Sequence, residues 1–215
     1  MERPIDTTKG VMGIDLDNTI ISYDSLLHSL AHDQGLINGN VEVVKKDVRD
    51  AVRNLPNGEI EWQKLQGLVY GPGIRDAKLM DGVMDFFQLC LRLEVPVHII
   101  SHKTVFAPYD STNTNLRTAA LKWMYSQGLF EEKKTGLTEN SVSFEATRTG
   151  KLRRVVEFKC THFIDDLEET FLESCFPAGV EKILYTPSMH VSSKCGASLK
   201  HSWEDIGVHI FGPND

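Results

Sequence analysis

A doubly wound α/β core with a mostly parallel sheet, interrupted by a small all-helical insertion, is the fold class this sequence predicts. Two patterns predict it. Short apolar runs that end in polar or acidic residues alternate with stretches of helical periodicity, and a long block of helix-like sequence breaks that alternation after the first run. Chain length agrees with both, because 215 residues exceed a domain of roughly 150 and fall short of two.

The first run is Gly10 to Leu16, GVMGIDL, a glycine-rich apolar stretch leading into acidic residues. Buried parallel strands read this way, because both sheet faces are covered and polar side chains emerge only at the carboxyl end. Val95 to Ser101 (VPVHIIS), Ser141 to Ala146 (SVSFEA), His162 to Asp165 (HFID) and Lys182 to Thr186 (KILYT) have the same form. Val208 to Phe211 reads as a sixth strand, at an edge. Between the runs, Asp81 to Leu93 sets Val83, Phe86, Phe87, Cys90 and Leu91 on one helical stripe, with Pro96 just beyond. Asn115 to Gln127 does the same with Leu116, Ala119, Ala120, Trp123 and Met124, and Gly128 supplies the stop. Leu167 to Cys175 reads as a shorter helix, and KLRRVVEFK, from Lys151, opens another that leads into HFID.

The block from Ile21 to Met80 does not alternate. Ser25 to Gln34, Val41 to Leu55 and Glu59 to Tyr70 read as three helices in series, with a turn at Asn57-Gly58. That is far more helix than a crossover needs. The expectation is an α/β core of residues 1–20 and 81–215, with a helical cap of residues 21–80 inserted after the first strand. The polar loop from Thr104 to Thr114 is expected at the same edge of the sheet.

Composition excludes several function classes. Lysine and arginine number 23 against 30 aspartates and glutamates, a net charge of −7. An acidic surface disfavours nucleic acid and anionic lipid as partners. No stretch approaches the ~18 apolar residues of a membrane span. The opening MERPIDTTKGVMGID lacks the basic and apolar regions of a signal peptide. The four cysteines, Cys90, Cys160, Cys175 and Cys195, form no paired-cysteine motif, and Cys90 and Cys160 sit among apolar neighbours. The expected setting is a reducing, cytoplasmic one. No GxxxxGK[ST] stretch is present, which excludes a P-loop nucleotide site.

In open α/β sheets, ligands bind outside the carboxyl ends of the strands. At the first such end, Asp15 and Asp17 stand two apart, followed by Asn18 and Thr19. In extended backbone their side chains face the same way. Two carboxylates so placed repel each other unless a cation or a shared proton stabilises them. HFID ends in a second acidic pair, Asp165-Asp166. Both pairs at one sheet edge make an oxygen-rich nest suited to Mg²⁺, a hard cation.

The order GIDLDNT, HIIS, a lysine and HFIDD resembles the haloacid dehalogenase superfamily of aspartate-nucleophile phosphohydrolases. The DxDx[TV] box of that family is matched by Asp15, Asp17 and Thr19, its strand-end Ser or Thr by Ser101, and its acidic pair by Asp165 and Asp166. These motifs run from Val11 to Asp166, and the last reads DDLE rather than the commoner GD with a later Asp. The resemblance implies a Rossmann-like core and Mg²⁺ as cofactor. It implies a phosphomonoester hydrolase acting through an aspartyl-phosphate on a small phosphorylated molecule, such as a sugar phosphate or nucleotide. By the same resemblance, Asp15 is the nucleophile and Asp17 the general acid and then base, with its backbone carbonyl at the metal. Asp15 and Asp165 are direct metal ligands and Asp166 a second or water-mediated one, and Ser101 hydrogen-bonds the phosphoryl oxygens. The second Asp favours phosphate over halide, since dehalogenases of the superfamily generally lack it. A phosphotransferase or phosphomutase would keep the same motifs, and a regulatory module could share the fold.

The family's lysine is matched best by Lys151, at the start of its helix; Lys159, the other candidate, lies at the far end, where it would point away. Candidate substrate contacts are Thr19, His102, Lys103 and Tyr23, together with Arg148, whose guanidinium suits a bidentate grip on carboxylate or phosphate. Trp62, Phe86, Phe87, Trp123 and Phe171 read as packing residues.

Overall fold

The structure, a computed structural model, describes residues 10–110, 112–187 and 193–213. The chain begins with β1 (Met12–Ile14) and β2 (Ile21–Ser22), followed by the helices α1 (Asp24–Asp33), α2 (Lys45–Arg53) and α3 (Gly58–Tyr70). A short 3₁₀ turn (Pro72–Asp76) leads to β3 (Lys78–Leu79), α4 (Val83–Arg92), β4 (Val97–His102), α5 (Leu116–Ser126) and α6 (Glu132–Thr135). The remainder alternates: β5 (Val142–Glu145), α7 (Arg148–Glu157), β6 (His162–Asp165), α8 (Glu168–Leu172), β7 (Glu181–Tyr185), β8 (Ser198–Lys200) and α9 (Trp203–Phe211).

Six strands form one sheet in the order β5-β4-β1-β6-β7-β8, and every neighbouring pair is parallel. From β1 the chain moves to β4 and β5 on one side, then returns to β6, β7 and β8 on the other. Strand order therefore reverses at β1. The carboxyl ends of β4, β1 and β6 flank the crevice where open α/β sheets take their ligands. This is the doubly wound parallel core that the alternation predicts, and a helical insertion follows its first strand.

The chain divides into two compact units. One comprises residues up to Ile20, Met80–His102 and Gly128 onwards; the other comprises Ile21–Leu79 and Lys103–Gln127.

In the first unit, Val11, just before β1, and Ile100, Phe163 and Leu184 from the sheet pack with Leu152 and Val155 of α7 and Phe171 of α8. Phe86 and Phe87 of α4 lie 5.0 and 6.5 Å from the ring of Trp203 in α9. The central strand needs its glycine, because a Cβ on Gly13 would stand 2.7 Å from the Phe163 ring and 2.9 Å from Cys160 Sγ. One strand is corrected. Val208 to Phe211 is not an edge strand but the end of α9. Ser202 caps that helix by accepting a hydrogen bond from the Asp205 N–H, and Trp203, Ile206 and Gly207 bury its inner face at helical spacing. The edge is formed instead by β8.

In the second unit, the three helices expected in series are present as α1, α2 and α3. Asn57, with φ 58°, makes the left-handed turn before α3. Trp62, Leu65 and Val69 bury one face of α3. β2 and β3 pair antiparallel, Ile21 opposite Leu79. α5 belongs to this unit: its Trp123 is buried and donates the indole N–H to the Ala77 carbonyl at 3.0 Å. No helix among the described residues is long and apolar enough to cross a membrane.

Candidate active site

The parallel register pairs Ile14 of β1 with Ile164 of β6, so the next residues, Asp15 and Asp165, leave adjacent strands side by side. The Asp15 N–H still donates to the Ile164 carbonyl at 2.8 Å, which holds the first carboxylate at the strand end. Asp166 follows. Carboxylate oxygens of Asp15, Asp165 and Asp166 lie within 4.8 Å of one another. Asp15 and Asp165 are buried and Asp166 is half-buried.

Lys151 enters this cluster from α7. Thr147 caps that helix, accepting from the Gly150 N–H, and Lys151 is its fourth residue. The buried ammonium donates to Asp15 Oδ1 at 2.5 Å and to Asp165 Oδ2 at 2.7 Å. Asp165 uses its other oxygen to accept from the Leu167 N–H at 2.9 Å. Burial works against the Lys151 charge, but Asp15 and Asp165 more than offset it, so its pKa is raised. Burial likewise pushes the Asp15 carboxyl well above the usual carboxylate range. Lys151 opposes that rise, while Asp165, Asp166 and Asp17 add to it.

Charge and donor type agree on what the cluster suits. Three carboxylates less one ammonium leave two negative formal charges, and one divalent cation balances them. All the offered atoms are carboxylate oxygens, which favours a hard ion such as Mg²⁺.

Around the cluster, buried polar atoms stand without partners among the described residues. Ser101 Oγ at the end of β4, Thr19 Oγ1 and Asn18 Oδ1 are all enclosed and make no hydrogen bond to a described residue. Asn18 has φ 60°, and the turn it forms is closed by the Ile20 N–H donating to the Leu16 carbonyl at 3.0 Å. Buried polar atoms are ordinarily paired, so these two hydroxyls and one amide oxygen are groups that a bound ligand can satisfy.

No protein-family model and no curated protein matches this sequence. Solved structures do match in fold. A HAD-superfamily hydrolase of subfamily IA, variant 1, from Geobacter sulfurreducens superposes with a TM-score of 0.56 at 12% identity, over 94% of this chain and 96% of that one. A family IA, variant 3 hydrolase from Entamoeba histolytica gives 0.55 at 14% identity, over 94% and 97%. The Bacillus subtilis HAD-hydrolase YfnB, solved bound to magnesium, gives 0.51 at 14% identity, over 94% and 98%. The chain has the haloacid dehalogenase fold.

Within that fold, the residues singled out from sequence fall into groups. Asp15, Lys151, Asp165 and Asp166 come together as described. Ser101 and Thr19 are buried. Asp17 is half-buried, and its carboxylate is not one of the converging three. His102 is exposed at the end of β4, with Nε2 3.1 Å from the Ala146 carbonyl; burial, and then Lys151 and Arg148, lower its pKa, although the bond to Ala146 opposes this. Arg148 is engaged by Glu173, Nη1 to Oε1 at 2.6 Å. Tyr23 and Lys103 belong to the second unit and are buried there. Tyr23 stands edge-on to Tyr70 at 4.8 Å, and Lys103 Nζ lies 5.2 Å from the centre of the same ring.

Two residues beside these, Asn18 and Glu173, were not among the candidates read from sequence. Asn18 carried a usable signal, because asparagine tolerates the left-handed conformation a tight turn demands. Glu173 carried none, since its partner lies 25 positions away.

Proposed function

We propose that this protein is a Mg²⁺-dependent phosphomonoester hydrolase that works through an aspartyl-phosphate on Asp15, with a small phosphorylated metabolite as substrate. The observation that carries the reading is the setting of Asp15. It is buried at the end of the central strand, held by Lys151 and flanked by two further carboxylates.

In the first step an Asp15 oxygen attacks phosphorus. An acyl-phosphate bond forms as the ester P–O bond breaks, and Asp17 delivers a proton to the leaving oxygen. In the second step Asp17 takes a proton from water as that water attacks phosphorus. The bond to Asp15 breaks, releasing phosphate and restoring the carboxylate. Lys151 balances the charge of Asp15 before attack and that of the phosphoryl oxygens afterwards. The Ser101 and Thr19 hydroxyls donate to those oxygens, which satisfies their buried groups. A bound Mg²⁺, held by Asp15, Asp165 and Asp166, would withdraw charge from the phosphoryl group. The magnesium in YfnB supports this choice of ion.

A panel of phosphorylated metabolites, assayed with Mg²⁺ and with EDTA, tests the proposal. Turnover is expected only with the metal, and Asp15→Asn should abolish it. Turnover that survives this substitution would remove Asp15 as nucleophile. Phosphate transfer to an added alcohol, with no release to water, would instead identify a phosphotransferase.

A further inference from the structure

Arg148 opens α7 at the carboxyl edge of the sheet, three residues ahead of Lys151 and therefore on the same helix face. A positive charge there is not explained by the helix. First turns favour acidic residues, yet that of α7 contains none and carries Arg148, with Lys151 close behind. The charge of Lys151 is taken up by Asp15 and Asp165. That of Arg148 is met by Glu173, from the segment after α8, through one bond from Nη1.

The pair is accessible. Its two side chains are 35% and 31% exposed, and an ion pair that open to water is weak and exchanges readily. It is also one-pronged: the structure gives the guanidinium fork no second bond to a described residue, although the fork can grip a carboxylate with two. At the end of β4, which packs against α7, the Ser101 hydroxyl is buried with no hydrogen-bond partner among the described residues. A carboxylate already fits against Arg148, because Glu173 provides one.

We propose that Arg148 is a specificity-determining residue for a carboxylate on the substrate, and that Glu173 is a stand-in which holds the guanidinium until that carboxylate replaces it. The inference rests on the phosphomonoester reading above and narrows its substrates to small phosphomonoesters bearing a carboxylate.

The pair 3-phosphoglycerate and glycerol 3-phosphate tests it, because they share a carbon skeleton and differ in carboxylate against hydroxymethyl. Binding is measured by calorimetry with Mg²⁺ in the Asp15→Asn protein, where turnover is blocked. The carboxylate ester should bind roughly tenfold or more tightly, as a charge-assisted contact allows. Adding Arg148→Gln should bring the ratio of the two dissociation constants close to one. Adding Arg148→Lys, which keeps the charge but loses the fork, should leave an intermediate ratio and serves if the glutamine variant does not fold. Adding Glu173→Gln should widen the ratio, because the competing carboxylate is gone. Equal binding of the two esters overturns the inference alone, as does a preference that survives Arg148→Gln or ignores Glu173→Gln. Binding of neither ester overturns the phosphomonoester reading, and the inference with it.

Discussion

The indole of Trp203 donates its N–H to the backbone carbonyl of Thr19 at 3.2 Å, so the last helix holds the turn that follows the first strand. Both residues are buried, so losing the donor takes a hydrogen bond from an enclosed carbonyl. Trp203→Phe keeps most of the aromatic packing and removes the bond. It should lower the unfolding free energy by about 1–3 kcal/mol, the usual cost of stranding a buried polar group. Urea unfolding reads this directly, and an unchanged midpoint would mean that the turn is held without the indole.

Lys151 is the sole cation hydrogen-bonded to Asp15 or Asp165 among the described residues. Lys151→Met leaves both carboxylates buried and uncompensated. The metal-free protein should lose roughly 3–5 kcal/mol, as buried pairs do when one partner is removed. Mg²⁺ should recover part of the loss, because an ion that binds only the folded state stabilises it. Melting with EDTA and with excess Mg²⁺ should therefore show a larger metal-induced shift in the variant than in the parent. Equal shifts would mean that lysine and cation do not share these carboxylates.

His98 stacks on Phe158 with ring centres 4.1 Å apart, and its buried Nδ1 has no partner among the described residues. Burial lowers its pKa from the usual 6.5. As pH falls, the unfolded chain takes up this proton first. Stability therefore declines as pH drops through about 6.5 and levels off below the folded value. His98→Gln should make the loss of stability between pH 7.5 and 5.5 smaller. It should not abolish it, since His102 and His162 are shifted the same way. Urea midpoints at the two pH values decide the matter, and an undiminished loss would exonerate His98.

Burial pushes the thiols of Cys90 and Cys160 up to about 12. At neutral pH they remain protonated as well as enclosed, and the thiolate is the reactive form. Cys175 is exposed and Cys195 half-buried. Brief iodoacetamide treatment of the native protein should label Cys175, and then Cys195, and spare the other two; in urea all four should react. Mass spectrometry of the peptides reads the pattern, and early labelling of Cys90 would contradict its burial.

The site was legible in sequence where local pattern and strand register coincide. Asp15 and Asp165 each follow a short apolar run, and a parallel sheet brings the ends of such runs to one edge, so their emergence there could be expected; that β1 and β6 are neighbours could not. Lys151 was expected, ahead of Lys159, from the family resemblance, which places its lysine on the helix leading into β6. The edge of the sheet was not legible. Ser198 to Lys200 is a short, half-buried strand of mixed polarity with no readable period, whereas Val208 to Phe211 has strand-like composition and is helical because Ser202 caps the turn before it. The amphipathic stripe of α5 announced a buried face without saying which unit would bury it.

By itself, the sequence determined that strands and helices alternate, that a helical block follows the first strand, and that acidic residues terminate two of the strands. These properties follow from periodicity and local chemistry, which neighbouring residues carry among themselves. Only the tertiary structure decided that Lys151 bridges Asp15 and Asp165, that Trp203 anchors Thr19, and that Glu173 occupies Arg148. Each of those contacts joins residues far apart in the chain. Its existence depends on distances of a few ångströms that packing sets and that no local pattern encodes.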